Sequence, residues 1–531
     1  MGVIKNDVGR PSNKTIKIRR ILKGMAIVPV VALLFFAYYK VNDKKTTNTV
    51  IEPSKKLSKY RMENNSLSDF DLFFLKAENN DKNSVYSPLS IKQSLALIKE
   101  GANGQTKTQI SDVIGDYKFT KYENSKNISL KNVMFVKNSY KNNINQDYAS
   151  LVKDKYNSDV IYDEFASASN INSWVSDNTL NLINNLFKDS DLNGKDFVIA
   201  NALAIDMDWV NKIQKVEEDY FVDYAHENFH DSITRLSALG FSKLKFNNSS
   251  KNYNSVQLAA AINRYDIVKE LGEDNIRKTV GDKYEEWLNS EDSKDCIQYQ
   301  KDDYPSDVNK YLDKYIKDLN SNYEKLDNST DFLMYDDSNV KAFAKDLKEY
   351  NGVTLQYIGI MPKQEALNNY IKELNSKKLN DVISSLKEIK LDNFESGKIT
   401  KINANIPLFD FDYELDLKND LNKIGITNIF DSNKSDLSKF TKAKGAYIDS
   451  VTHKANISFS NDGIKASAIT AYGGLGDGGG CFDYLYDVPV NEIDLTFDKP
   501  YIFIIINKNS GEVWFVGSVY EPSLYTESFG Y

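Results

Sequence analysis

Residues Val451–Tyr472 read VTHKANISFSNDGIKASAITAY, a short apolar strand followed by a run of small residues. The strand spans Ala455 to Phe459, Asn461-Asp462-Gly463 ends it, and the small-residue run begins at Ile464. At a period of two, one face of that run presents Ile464, Ala466, Ala468, Thr470 and Tyr472, and the other Lys465, Ser467, Ile469 and Ala471. Short side chains lower the barrier for a strand that must slide between packed neighbours, and such an entry gains ladder hydrogen bonds and burial. In isolation the same run also reads as a flexible linker.

The 531 residues around it suffice for one large domain with additions, or for two or three ordinary domains. The net charge of −8 comes from interspersed acidic and basic residues, so no basic face is offered to nucleic acid. Cys296 and Cys481 are too few and too far apart for a disulfide framework or a thiolate metal site, and they read as free thiols. At the N-terminus, Lys14, Lys17, Arg19, Arg20 and Lys23 precede the apolar run GMAIVPVVALLFFAYY from Gly24 to Tyr39. That run makes about 24 Å of helix, enough to span a bilayer if Lys23 and Lys40 snorkel. The charge asymmetry predicts residues 1–23 as a cytoplasmic basic tail, 24–40 as a transmembrane signal anchor and everything after as extracellular. No small-x-small cleavage site follows the run, and residues 41–65 read as a flexible stalk.

Beyond the stalk, SLSDFDLFFLK (Ser66–Lys76) predicts an amphipathic helix capped by Ser66 or Ser68. Strands are predicted at Asn132–Val136 and Phe197–Ile205, and again at Val353–Met361, Ile402–Phe411, Ala455–Phe459, Tyr501–Ile506 and Val513–Val519. Between them, residues 225–335 are polar and Tyr-, Asn- and Asp-rich, with helical spacing in Ser255–Leu271 and Val308–Leu326, and read as a helical insertion. The order is neither βαβ nor repetitive, which predicts an α+β fold.

Several stretches resemble one family in its own order. NSVYSPLSI (Asn83–Ile91), continuing through Ala102-Asn103-Gly104-Gln105-Thr106 to Gln109, resembles the opening motif of the serpins. Asn132–Val136, Ile171–Val175 with Thr179, Asn201-Ala202-Leu203 with Trp209, Asp416–Phe430, Val451–Ala455 and Phe515-Val516-Gly517 with Pro522 are similar to later serpin motifs. The resemblance implies a serpin domain over 66–522 followed by a tail, 523–531, with three β-sheets, a helical shell and an exposed reactive-centre loop. It places Ser87, Ser90, Asn201 and His453 in a polar shutter beneath the opening of the central sheet, and Trp209 in the breach near its top. On the residues alone, His453 reads as a hydrogen-bonded core histidine.

The resemblance further makes Asn461, Asp462, Gly463, Ile464, Ala466, Ala468 and Thr470 the hinge of a bait loop. Counting from Gly463 puts the reactive bond at Asp477-Gly478. Three departures stand out: Ile464 is bulky where the family favours Thr or Ser, Asn461 stands where the family has an acidic residue two positions before the glycine, and the stretch to Pro500 is about ten residues longer than usual, which leaves the bonds from Gly473 to about Pro489 as alternatives for the cleaved one. The function implied is inhibition of a serine or cysteine protease outside the cell, as a suicide substrate, with no cofactor. A non-inhibitory binding module of the same fold is the alternative. His226-Glu227-Asn228-Phe229-His230 fits the zinc-protease pattern H-E-x-x-H, but no third ligand follows, so a metal site is not expected.

Overall fold

The computed structural model describes residues 59–210, 237–263, 266–321, 332–390, 393–394, 399–449, 451–460, 463–464, 481–482, 484, 486 and 490–525. The anchor, its basic tail and the stalk up to residue 58 lie outside these, as do the HENFH motif, Asn461, Asp462, Ala466, Ala468, Thr470, Asp477 and Gly478. Among the described residues no helix is long and apolar enough to cross a membrane.

The described strands are β1 (Ser84–Tyr86), β2 (Ile128–Lys137), β3 (Ser158–Asp163), β4 (Phe197–Ile205), β5 (Met207–Asp208), β6 (Ser237–Lys245), β7 (Asn252–Asn263), β8 (Phe332–Asp336) and β9 (Val340–Asp346). They continue as β10 (Leu355–Pro362), β11 (Lys387–Glu388), β12 (Ile399–Pro407), β13 (Phe409–Asp416), β14 (Thr452–Phe459), β15 (Gly463–Ile464), β16 (Val490–Asp494), β17 (Tyr501–Asn507) and β18 (Val513–Val519). One sheet has the order β1-β18-β17-β10-β9-β8-β11, and a second β16-β12-β7-β6. Two ladders, β3-β2-β4 and β13-β14-β15-β5, make the central sheet, because β4 and β5 are one strand line interrupted at Asp206. The architecture is the predicted α+β arrangement of three sheets within helices.

Local chemistry explains the motifs. Ser87 Oγ accepts the Ser90 N–H, and Pro88 opens helix α2 (Pro88–Gly101), so Ser-Pro here is a cap and a first helical residue. Helix α1 (Asp69–Ala77) starts from Ser68, whose N–H and Oγ both donate to the Asp71 carboxylate. The other oxygen of Asp71 pairs with Lys92 Nζ at 2.9 Å, both side chains fully buried. Strands β10, β17 and β18 are buried along their whole length, which is why they read as continuous apolar runs rather than alternating ones. Gly517 sits where a Cβ would come within 2.3 Å of the Ser84 carbonyl and 2.4 Å of Phe503, so the family's terminal glycine is set by the close approach of β1 to β18.

Three boundaries are corrected. Folding begins before residue 66: Met62 is fully buried, exchanges backbone bonds with Val113 and Asp116, and Tyr60 lies edge-on to Phe73. The C-terminal tail is docked at its start, Ser523 N–H donating to Leu408 O and Tyr525 N–H to Asn252 O. The insertion is narrower than 225–335, since β6 and β7 pair over eight residues inside the β16-β12-β7-β6 sheet and β8 belongs to the largest one. Ser255–Asn263 is therefore strand rather than helix: the pairing partner β12 decides between two readings that the polar, Ala-rich sequence allows. The helical insertion consists of α3 (Ile267–Leu271), α4 (Glu273–Leu288), α5 (Ser293–Tyr299) and α6 (Val308–Ser321), with a core of its own around Ile276, Val280, Tyr284, Leu312 and Leu319.

Candidate strand-insertion site

The central sheet is joined at the top and parted below. Ile464 of β15 pairs with Phe459 on one side and Met207 on the other, and Gly463 pairs with Asp208. Below this point no ladder joins β4 to β14 among the described residues. A cleft of about 680 Å³ lies there instead, lined by Ile199 and Asn201 of β4, His453 of β14 and Ser90 and Ser94 of α2. The hinge is thus already two residues into the sheet.

Above the cleft, Trp209 is fully buried, and its indole N–H donates to the Ser460 carbonyl at 2.9 Å. It lies edge-on to Phe459 and Tyr357, fixing the last residues before the loop.

The residues expected in the shutter stand in two separate hydrogen-bonded sets. His453 Nε2 accepts the Ser87 N–H at 2.9 Å. Across the cleft, Asn201 Nδ2 donates to Asn132 Oδ1 at 2.7 Å, and Asn132 Nδ2 in turn donates to Gln93 Oε1. Among the described residues, Asn201 Oδ1 and Ser90 Oγ are buried without a hydrogen-bond partner. Each such orphan costs about 1 to 3 kcal/mol, so the closed cleft stores a preference for an incoming polar group. Asn132 and Gln93 were not legible as site residues, because a strand motif and a helix face carry no mark of which polar group meets which across the sheet.

Burial lowers the pKa of His453 to about 4. Because the folded value lies below the unfolded one, near 6.5, the unfolded chain binds the extra proton as pH falls. Stability from this residue is complete above pH 6.5 and is lost as pH falls toward 4, by roughly 3 kcal/mol in total. The urea midpoint is expected to fall over that window and to flatten in His453→Gln; an unchanged slope in the variant would assign the acid sensitivity elsewhere.

The two cysteines are not free thiols. Cys296 of α5 and Cys481 form a disulfide across 185 residues, with Cα atoms 5.8 Å apart. Sequence spacing gave no sign of it, because the packing of the insertion against the chain after the glycine run brings the two together. Phe482, Tyr484 and Tyr486 join the insertion's aromatic core in the same way.

The serpin family profile, described as Serpin (serine protease inhibitor), matches residues 63–258 and 320–522. The chain belongs to the serpin family. Human Serpin B4 is 23% identical over 501 residues, covering 86% of this chain and all of that protein. A serpin-like protein of Methanosarcina acetivorans is 23% identical over 86% of this chain and 85% of its own. Among solved structures, the thermophilic serpin tengpin in its native state superposes with a TM-score of 0.54 at 20% identity, over 87% of this chain and 96% of its own. Thyroxine-binding globulin in complex with thyroxine superposes with a TM-score of 0.54 at 16% identity, over 86% of this chain and 98% of its own. The serpin profile skips residues 259–319, which hold the insertion helices α3 to α5 and α6 but for its last two residues. The family is one of protease inhibitors, described as serine protease inhibitors.

Proposed function

We propose that this serpin is an extracytoplasmic suicide inhibitor of a serine or cysteine protease, held at the cell membrane by residues 24–40 with its N-terminus cytoplasmic. The register of β15 carries the reading. Were the loop to enter in that register, Ala466 would stand beside Ile457 and Ile205, Ala468 beside Ala455 and Leu203, and Thr470 beside His453 and Asn201. Small residues would thus meet the apolar stretch, and a hydroxyl would reach the level of the orphaned Asn201 Oδ1.

In this mechanism the target's nucleophile attacks the carbonyl carbon of Asp477, and the bond to Gly478 breaks as a proton passes to the new amine. Asp477 is left as an ester or thioester on the protease. Residues 465–477 then enter the cleft with the protease attached. Distortion of its oxyanion hole stalls hydrolysis, each lost donor costing about 100- to 1000-fold in rate. The Cys296–Cys481 disulfide supports placement in an oxidising compartment, in agreement with the basic residues before the anchor.

Incubation with a panel of serine and cysteine proteases is expected to give an SDS-stable adduct attached through Asp477. Loop cleavage with no adduct would replace the proposal by the non-inhibitory binding module.

A further inference from the structure

We infer that the helical insertion is a clamp on the C-terminal limb of the loop, whose effect is that the loop enters the central sheet only after a bond N-terminal to Cys481 has been cut. The clamp has a covalent part, the Cys296–Cys481 disulfide. It also has an aromatic socket: Tyr284 and Tyr311 stack at 3.8 Å, and Phe482 stands edge-on to them at 4.9 and 5.5 Å with Trp287 at 5.6 Å. Tyr315 completes it, its hydroxyl donating to the Tyr484 carbonyl and accepting the Tyr486 N–H at 3.0 Å. Beyond the clamp, β16 pairs with β12 over five residues, so the limb is fastened twice.

Chain length turns this anchorage into a barrier. Sixteen residues separate Ile464 from Cys481. Filling the cleft along β4, in the register that pairs Ile464 with Met207, takes ten of them, and the six left reach about 24 Å from there to Cys481 fully stretched, less than the roughly 34 Å of strand they would have to climb back. An uncleaved loop therefore has no slack with which to insert while the clamp holds. Once it is cut, the N-terminal limb is free, and the C-terminal piece stays bound through Cys296. The extra loop length noted in the sequence is the portion the insertion holds.

This rests on the insertion reading for its barrier but not for its covalent part, so the test separates them. Thermolysin, which cuts before leucine and other apolar residues, is used in limited amount on the full chain, and the product opened at Gly474-Leu475 is identified by mass and purified. The 475–531 fragment is expected to remain attached on a non-reducing SDS gel and to separate on a reducing one; its release without reductant would overturn the clamp. The uncleaved double variant Cys296→Ala/Cys481→Ala, and separately Phe482→Ser, are then held a few degrees below their melting midpoints. Conversion to a form of raised midpoint is expected at least tenfold faster than in the unaltered chain. If both variants convert at the unaltered rate, the clamp is not the barrier. Failure of the protease panel to give adducts would leave the gel result standing and remove only the inhibitory reading.

Discussion

A single cut in the loop, between residues 474 and 480, is expected to raise the melting midpoint of the described domain by tens of degrees. The cleft between β4 and β14 leaves facing edges of nine and eight residues without a shared ladder below β15. A strand entering there pairs about sixteen of its own backbone groups, each worth about 0.5 to 1.5 kcal/mol net. It also covers the cleft walls and satisfies orphaned polar atoms such as Asn201 Oδ1. The sum is on the order of 10 kcal/mol or more, and each kcal/mol moves the midpoint of a large domain by roughly 2 °C. Calorimetry before and after thermolysin treatment reads this directly. A midpoint that stays put or falls would mean that the loop does not insert, and the suicide mechanism would go with it.

The second large effect is expected from Ala468→Asp. Continuing the β15 register sets position 468 between Ala455 and Leu203, both buried. An unpaired carboxylate carried into that surrounding costs several kcal/mol, and each 1.4 kcal/mol is a factor of ten. Insertion then competes poorly with hydrolysis of the acyl-enzyme, and the protein is expected to behave as a substrate, cut at the same bond with adduct yield down by 100-fold or more. The stability gain on cleavage is expected to shrink with it. In the proposed mechanism residue 468 enters the sheet only after cleavage, so the uncleaved chain is expected to keep its midpoint. Full adduct yield in this variant would show that inhibition does not require insertion past residue 464.

The sequence by itself carried the framework, because its signals are local or serial. The Ser87-Pro88 cap, the apolar runs of β17 and β18 and the small-residue run after Gly463 each mark a constraint within a few residues of themselves. Their common order resembles that of the serpins, and that resemblance implied three sheets and a bait loop. The tertiary structure decided what depends on meetings between distant segments. It put Ile464 inside the sheet rather than in the loop, gave Asn201 the partner Asn132, and moved Ser255–Asn263 from helix to strand through β12. It also joined Cys296 to Cys481 and set Phe482 among Tyr284, Trp287 and Tyr311. No periodicity encodes such meetings: a cysteine or a phenylalanine carries no trace of a partner 185 residues away, and only the packing of the insertion against the returning chain selects it.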